Sequence, residues 1–167
     1  ARALAGDVKA ILLNPLMRGV RIDRSVRGLE LAALLAERRM PLLAVYRDLR
    51  EGENLIDWYE LADFCNAQPD LPVIAWEWRV RANRPMFDAL ATTRNLRVSV
   101  SSLWQAQMVE RICDSFGADR LVFSLGLPSL DPASFQAVVA YADIDAAAKE
   151  AIAAGTVRAI IEEADYE

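Results

Sequence analysis

Five short apolar runs, each followed by a segment of helical periodicity, place the tightest limit on how this chain can fold. They begin at residues 8, 42, 73, 96 and 121 and are rich in Val, Leu, Ile and Ala, as strands buried on both faces are. Between them, apolar side chains recur at helical spacing: Leu29, Ala32, Ala33 and Leu35 in one segment, Met108, Val109, Ile112, Cys113 and Phe116 in another. The punctuation agrees. Asn14-Pro15 stops the first run, Pro41 and Asp70-Leu71-Pro72 introduce the next two, and Ser25 stands where a helix needs an N-cap. Such alternation predicts parallel pairing through crossover helices, with the chemistry at the carboxyl ends of the strands.

The predicted strands cover residues 8–13, 42–46, 73–76, 96–100 and 121–123. Helices are predicted over 25–39, where Arg38-Arg39 suit the negative end of the dipole, and from Asn54 or Asp57, with Ile56, Tyr59, Phe64 and Cys65 facing inward. Further helices cover 85–92 and 103–116, the latter ended by Gly117 as a left-handed C-cap. After Asp131-Pro132, an N-cap and first-turn proline, come two or three helices, with Gly155 separating 146–154 from 157–164. Residues 1–5 read as a helical tail and residues 165–167 as frayed.

With 54% apolar residues among 167, the chain can bury one core and reads as a single domain over 1–167. No run approaches the roughly 18 uncharged apolar residues that span a bilayer, and no signal-peptide pattern opens the sequence, so no membrane association is expected. Cys65 and Cys113 both fall on apolar helix faces, which favours a reducing, cytoplasmic setting over a disulfide. A net charge of −5 opposes broad binding to nucleic acid. The absence of histidine removes the commonest zinc ligand and the usual base near neutral pH.

Residues 116–132, FGADRLVFSLGLPSLDP, carry a resemblance. Gly117-Ala118-Asp119-Arg120-Leu121-Val122-Phe123 and Pro128 resemble the last barrel strand of the amidohydrolase-related proteins, metal-dependent hydrolases and decarboxylases whose strand reads roughly G-A-D-R-L-L-F-G-S-D-Y-P. The family's aspartate, a metal ligand or general base, falls on Gly126. The runs led by Pro41 and Pro72 resemble, more weakly, two strands that end in histidine in the family; those positions fall on Val45 and Glu77. The family's H-x-H pair lies before the region covered.

Periodicity alone leaves a barrel and an open doubly wound sheet both standing. The resemblance implies an α/β fold of TIM type, a (β/α) barrel to which this chain supplies the last five βα units and the C-terminal helices. A complete barrel needs eight strands and about 250 residues, so three units would be missing or come from another chain; the lack of an initiator methionine favours a truncated or processed chain. An open sheet would instead expose edges that favour a homodimer.

Candidate site residues follow the predicted strand ends. Glu77 is the catalytic candidate, a general acid or base whose pKa Trp76 and Trp78 would raise and Arg79 partly lower again; the alternative is a strand-end glutamate paired to Arg79, Arg47 or Arg81. Arg18, Arg47 and Arg79 would gather on one rim to hold a carboxylate or phosphate, with Tyr46 and Asp48 orienting it; otherwise they are solvated loop charges. Ser99, Ser101, Ser102 and Ser124 are possible nucleophiles by residue type near strand ends, Ser101 and Ser124 the ones that would touch the substrate; otherwise all four satisfy backbone groups. No histidine or lysine stands beside them, so acyl transfer by serine has little support. No metal and no cofactor is expected. Two readings stay open: an amidohydrolase-like protein binding a small anionic, carboxylate-bearing metabolite, extending to a metal-independent hydrolase, or a non-catalytic barrel remnant acting as a binding or interaction protein.

Overall fold

The computed structural model describes residues 8–13, 23–45, 58–76, 83–125 and 132–166. Five strands, β1 (Ile11–Leu13), β2 (Leu42–Val45), β3 (Val73–Trp76), β4 (Leu96–Ser99) and β5 (Leu121–Val122), form one sheet in the order β1-β2-β3-β4-β5. Every neighbouring pair is parallel, in registers such as Leu12↔Leu43, Ile74↔Arg97 and Ser99↔Val122. The strand order never reverses. A doubly wound sheet reverses at its switch point and carries helices on both faces; a sheet wound in one direction keeps its crossover helices on one face, as a barrel does.

The crossover helices obey that rule. Helices α1 (Val26–Glu37), α2 (Trp58–Ala67), α3 (Asn83–Thr92) and α4 (Met108–Phe116) link successive strands. Leu35, Leu61, Phe64, Met86, Leu90 and Ile112 from these helices share one core with Leu42, Ala44, Val73, Ala75, Leu96, Val98 and Leu121 of the sheet. After β5 come α5 (Pro132–Ala140), which adds Phe135 and Val139 to that core, then α6 (Ala146–Glu150) and α7 (Thr156–Glu163). Because side chains alternate across a strand, the second residues of each strand form the opposite face. There α7 lies over the sheet: Ile160 packs with Ile74 and Val122, flanked by Leu43, Trp76 and Val157.

Several local expectations change. Strand β4 stops at Ser99, and residues 100–102 turn into a 3₁₀ helix in which Leu103 N–H closes on Val100 O at 3.0 Å. Tyr59 does not face inward: it is half exposed and its hydroxyl donates to Asp88 at 2.9 Å, while Trp58 takes the buried place. Gly155 does not separate two helices. Its φ of −59° is helical, and a π-helical segment, Ala151–Gly155, joins α6 to α7 without a break. Asp165 and Tyr166 are not frayed either, while Glu167 lies outside the described residues: Asp165 N–H bonds Arg38 O at 2.8 Å, and Tyr166 donates to Lys9 O at 3.0 Å with Lys9 Nζ over its ring. Ser25 caps α1 as expected, its hydroxyl accepting from Gly28 N–H at 3.3 Å. Both cysteines are free, and burial pushes the Cys65 thiol from its ordinary 9.0 up to about 12.

Residues of the FGADRLVF stretch prove to be structural parts. Gly117 has φ +98°, a backbone conformation that L side chains rarely adopt, so any substitution there is strained. Arg120 is 9% exposed and staples three elements: Nε donates to Leu96 O at 2.8 Å, Nη2 to Leu90 O at 3.1 Å and to Thr93 Oγ1 at 3.3 Å. Burial lowers its pKa, and the Asp119 carboxylate beside it opposes that shift.

Candidate functional site at the carboxyl ends of the strands

Parallel pairing puts the carboxyl ends of all five strands on one rim. Of the predicted site residues, Glu77, Arg18, Arg47, Asp48, Tyr46 and Arg79 lie outside the described residues. Tyr46 directly follows Val45, the last residue of β2, and Glu77 directly follows Trp76, the last of β3. Ser101 and Ser124 are described, and the fold brings them together.

Ser99 ends β4 on the face opposite the main core, because Leu96 and Val98 take the core positions. The 3₁₀ turn after it folds Ser101 back, so that the two hydroxyls lie 2.7 Å apart. Ser124, just beyond β5, completes the group: its hydroxyl bonds that of Ser99 and, at 2.7 Å, that of Ser101, and it accepts Ser101 N–H at 3.3 Å. All three residues are buried, Ser99 to 0% exposure. Each hydroxyl carries one proton, so three mutual bonds use all three protons in a closed ring. Next to it, Ser102 Oγ is buried and has no hydrogen-bond partner among the described residues. A buried orphan hydroxyl costs about 1–3 kcal/mol, which is the kind of defect a binding site tolerates. Ser99 and Ser102 were legible only as serines near a strand end; the 3₁₀ turn that gathers them leaves no mark in periodicity.

The closed ring spends its own protons, so the hydroxyl free to donate beside it is that of Ser102, and among the described residues no basic side chain contacts the ring. The chain has no histidine, and both of its lysines are engaged elsewhere: Lys149 Nζ on Ala140 O at 2.9 Å, Lys9 over Tyr166. Of the three positions at which the resemblance would put a ligand or base, Val45 is a buried hydrocarbon, Gly126 has no side chain, and Glu77, the one residue able to bind a metal, lies outside the described residues. Among the described residues no three His, Cys, Asp or Glu side chains converge on one point. A cleft of about 420 Å³ lies between α3 and α4, lined by Arg84, Phe87, Asp88, Arg111 and Asp114. It belongs to the outer helix layer and takes no strand-end residue. No helix among the described residues is long and apolar enough to cross a membrane.

No family model matches this chain, and no curated protein does. Among solved structures it is similar to an uncharacterized TIM-barrel protein from Bordetella bronchiseptica, with a TM-score of 0.68 and 18% identity over 86% of this chain and 53% of that one. The chain thus spans about half the length of that neighbour. Sequence identity this low carries the fold and nothing more. Taken with the unreversed parallel sheet, the likeness makes this chain an α/β protein of TIM type, a partial barrel.

Proposed function

We propose that the chain is an amidohydrolase-like barrel protein with a degenerate metal site, which binds a small carboxylate-bearing metabolite at the carboxyl ends of its strands. The observation that carries this reading is the buried ring of Ser99, Ser101 and Ser124, with the Ser102 hydroxyl beside it, where a TIM-type fold places its ligands. The Ser102 hydroxyl donates to the ligand directly, Ser101 and Ser124 donate by opening the ring toward it, Arg18, Arg47 and Arg79 hold the carboxylate, and Tyr46 and Asp48 orient it. Where the bound compound has a hydrolysable bond, Glu77 moves the proton and no metal takes part.

Calorimetric titration with a panel of small mono- and dicarboxylates tests the binding. A saturable ligand should bind about tenfold more weakly to Ser124→Ala, the loss of one or two hydrogen bonds to a charged group. Uniform failure of the panel, or full affinity in Ser124→Ala, removes the site. The hydrolase extension is tested with small lactones and amides after exhaustive chelation: turnover should persist and fall on Glu77→Gln.

A second reading, a barrel remnant that works by association, is favoured by one observation. β1 and β5 end the sheet, and Leu12 of β1 is 59% exposed on the face where its neighbours Leu43 and Ile74 are covered. Light scattering decides it: a concentration-dependent homo-oligomer broken by Leu12→Lys supports association through this edge, and a monomer at all concentrations excludes it for copies of this chain.

A further inference from the structure

The amino-terminal end of the same sheet holds a second cluster of chemistry. Arg97 is the second residue of β4, on the face opposite the main core, and half-buried. Its Nε is buried with no hydrogen-bond partner among the described residues, and its Nη1 makes only a long bond, 3.4 Å, to Asn95 O. Burial lowers its pKa, opposed by the more distant charges of Asp119 and Glu163. Arg97 lines a cleft of about 260 Å³ together with Arg39, Arg94, Asp70 and Glu163, between walls that include Pro69 and Pro72. No carboxylate among the described residues lies within ion-pair distance of Arg39, Arg94 or Arg97.

The walls of the cleft are fixed. Asn95 Nδ2 donates to Leu71 O at 2.7 Å, Gln68 O at 2.8 Å and Cys65 O at 3.2 Å, clamping the loop that carries Pro69 and Asp70. Arg39 is held by a Schellman end to α1: Met40 N–H bonds Leu35 O at 2.9 Å and Arg39 N–H bonds Ala36 O at 3.1 Å. That motif wants glycine at this position, and Arg39 instead takes φ +50°. Arg39 thus takes a left-handed backbone that glycine would adopt without strain, and it stands on the wall of the cleft.

We propose that this cleft binds the phosphate group of a small molecule. Three guanidinium groups meet only two carboxylates, Asp70 and Glu163, in a chain whose net charge is −5. A phosphate group more than offsets that one surplus positive charge and has enough acceptor oxygens for three guanidinium donors, including the orphan Nε; a single carboxylate satisfies one guanidinium fork. The site lies at the opposite end of the strands from the serine ring and stands independently of what that ring binds.

The test is calorimetric titration with inorganic phosphate against chloride at matched ionic strength, with succinate as the carboxylate arm. Phosphate should bind saturably, at least about tenfold more weakly in the exposed-site variant Arg94→Ala, and undetectably in Arg97→Met. Arg39→Gly should also weaken phosphate binding while raising the melting temperature, since it relieves the left-handed arginine. Arg84→Ala, in the cleft between α3 and α4, should change neither. Phosphate no better than chloride, unchanged affinity in Arg94→Ala, or succinate binding as tightly as phosphate would each overturn the proposal.

Discussion

The two faces of the sheet are covered very differently. On one, Leu42, Ala44, Val73, Ala75, Leu96, Val98 and Leu121 meet five helices, and nearly every apolar side chain is sealed from water. On the other, Ile74 and Val122 meet a single helix, α7, Leu12 stays largely exposed, and the polar groups Arg97, Ser99, Ser101 and Ser124 take the two ends. The first face is a core built to close-packed density, where hydrophobic burial can drive folding. The second is a thin apolar waist between two polar ends, which is where a barrel keeps its chemistry. The apolar core and the polar clusters lie on opposite sides of the same two- to four-residue strands.

Mutations of matched chemistry on the two faces should break or sharpen this contrast. The largest effect belongs to the sealed face: Leu61→Ala removes a fully buried side chain and should cost about 3–4 kcal/mol in urea unfolding, whereas Ile160→Ala on α7 should cost only about 2 kcal/mol, because the sparser face can relax into the space. Equal losses would contradict the contrast. Next comes Arg120→Met, which leaves Leu90 O, Leu96 O and Thr93 Oγ1 without their donor and should cost about 2–3 kcal/mol while leaving ligand affinity at the serine ring unchanged.

A smaller, pH-dependent effect follows from Cys65, on the sealed face. Its thiol titrates at 9.0 when unfolded and is pushed up to about 12 by burial, so above pH 9 the unfolded chain sheds a proton that the folded chain keeps. Stability must then fall as pH rises from about 9 to 12, by about 1.4 kcal/mol per unit from this group, and the slope should flatten in Cys65→Ala. Denaturant unfolding at pH 8, 9 and 10 on both proteins reads the difference. The smallest stability change belongs to Ser101→Ala, expected within about 1 kcal/mol, since the hydroxyl loses two ring bonds but leaves no buried charge.

How much of this was legible depended on which face a residue serves. The apolar runs that begin at 42, 73, 96 and 121, the Ser25 cap and the inward Phe64 and Cys65 announce themselves through hydrophobic period and capping chemistry, and all belong to the sealed face or its ends. The G-A-D-R motif was read as the frame of a lost metal site. Its glycine and arginine turn out to hold the fold: Gly117 because its φ of +98° strains any other residue, Arg120 because three buried acceptors need it. The serine ring was legible only in part. Ser101 and Ser124 are 23 residues apart in sequence and meet through a 3₁₀ turn and a parallel register, neither of which carries a periodic signal. Arg39 in its left-handed turn was read as a dipole partner, because nothing in the local sequence marks a Schellman end that lacks glycine.

The central claim is that the polar end formed by Ser99, Ser101 and Ser124 is a metal-free binding site, and amide NMR tests it most directly. Titrating a small carboxylate into ¹⁵N-labelled, chelator-treated protein should shift the Ser101, Ser102 and Ser124 amides together along one saturable curve, and Ser124→Ala should flatten that curve. Shifts that avoid these three amides, or that appear only after zinc is added, would contradict the account.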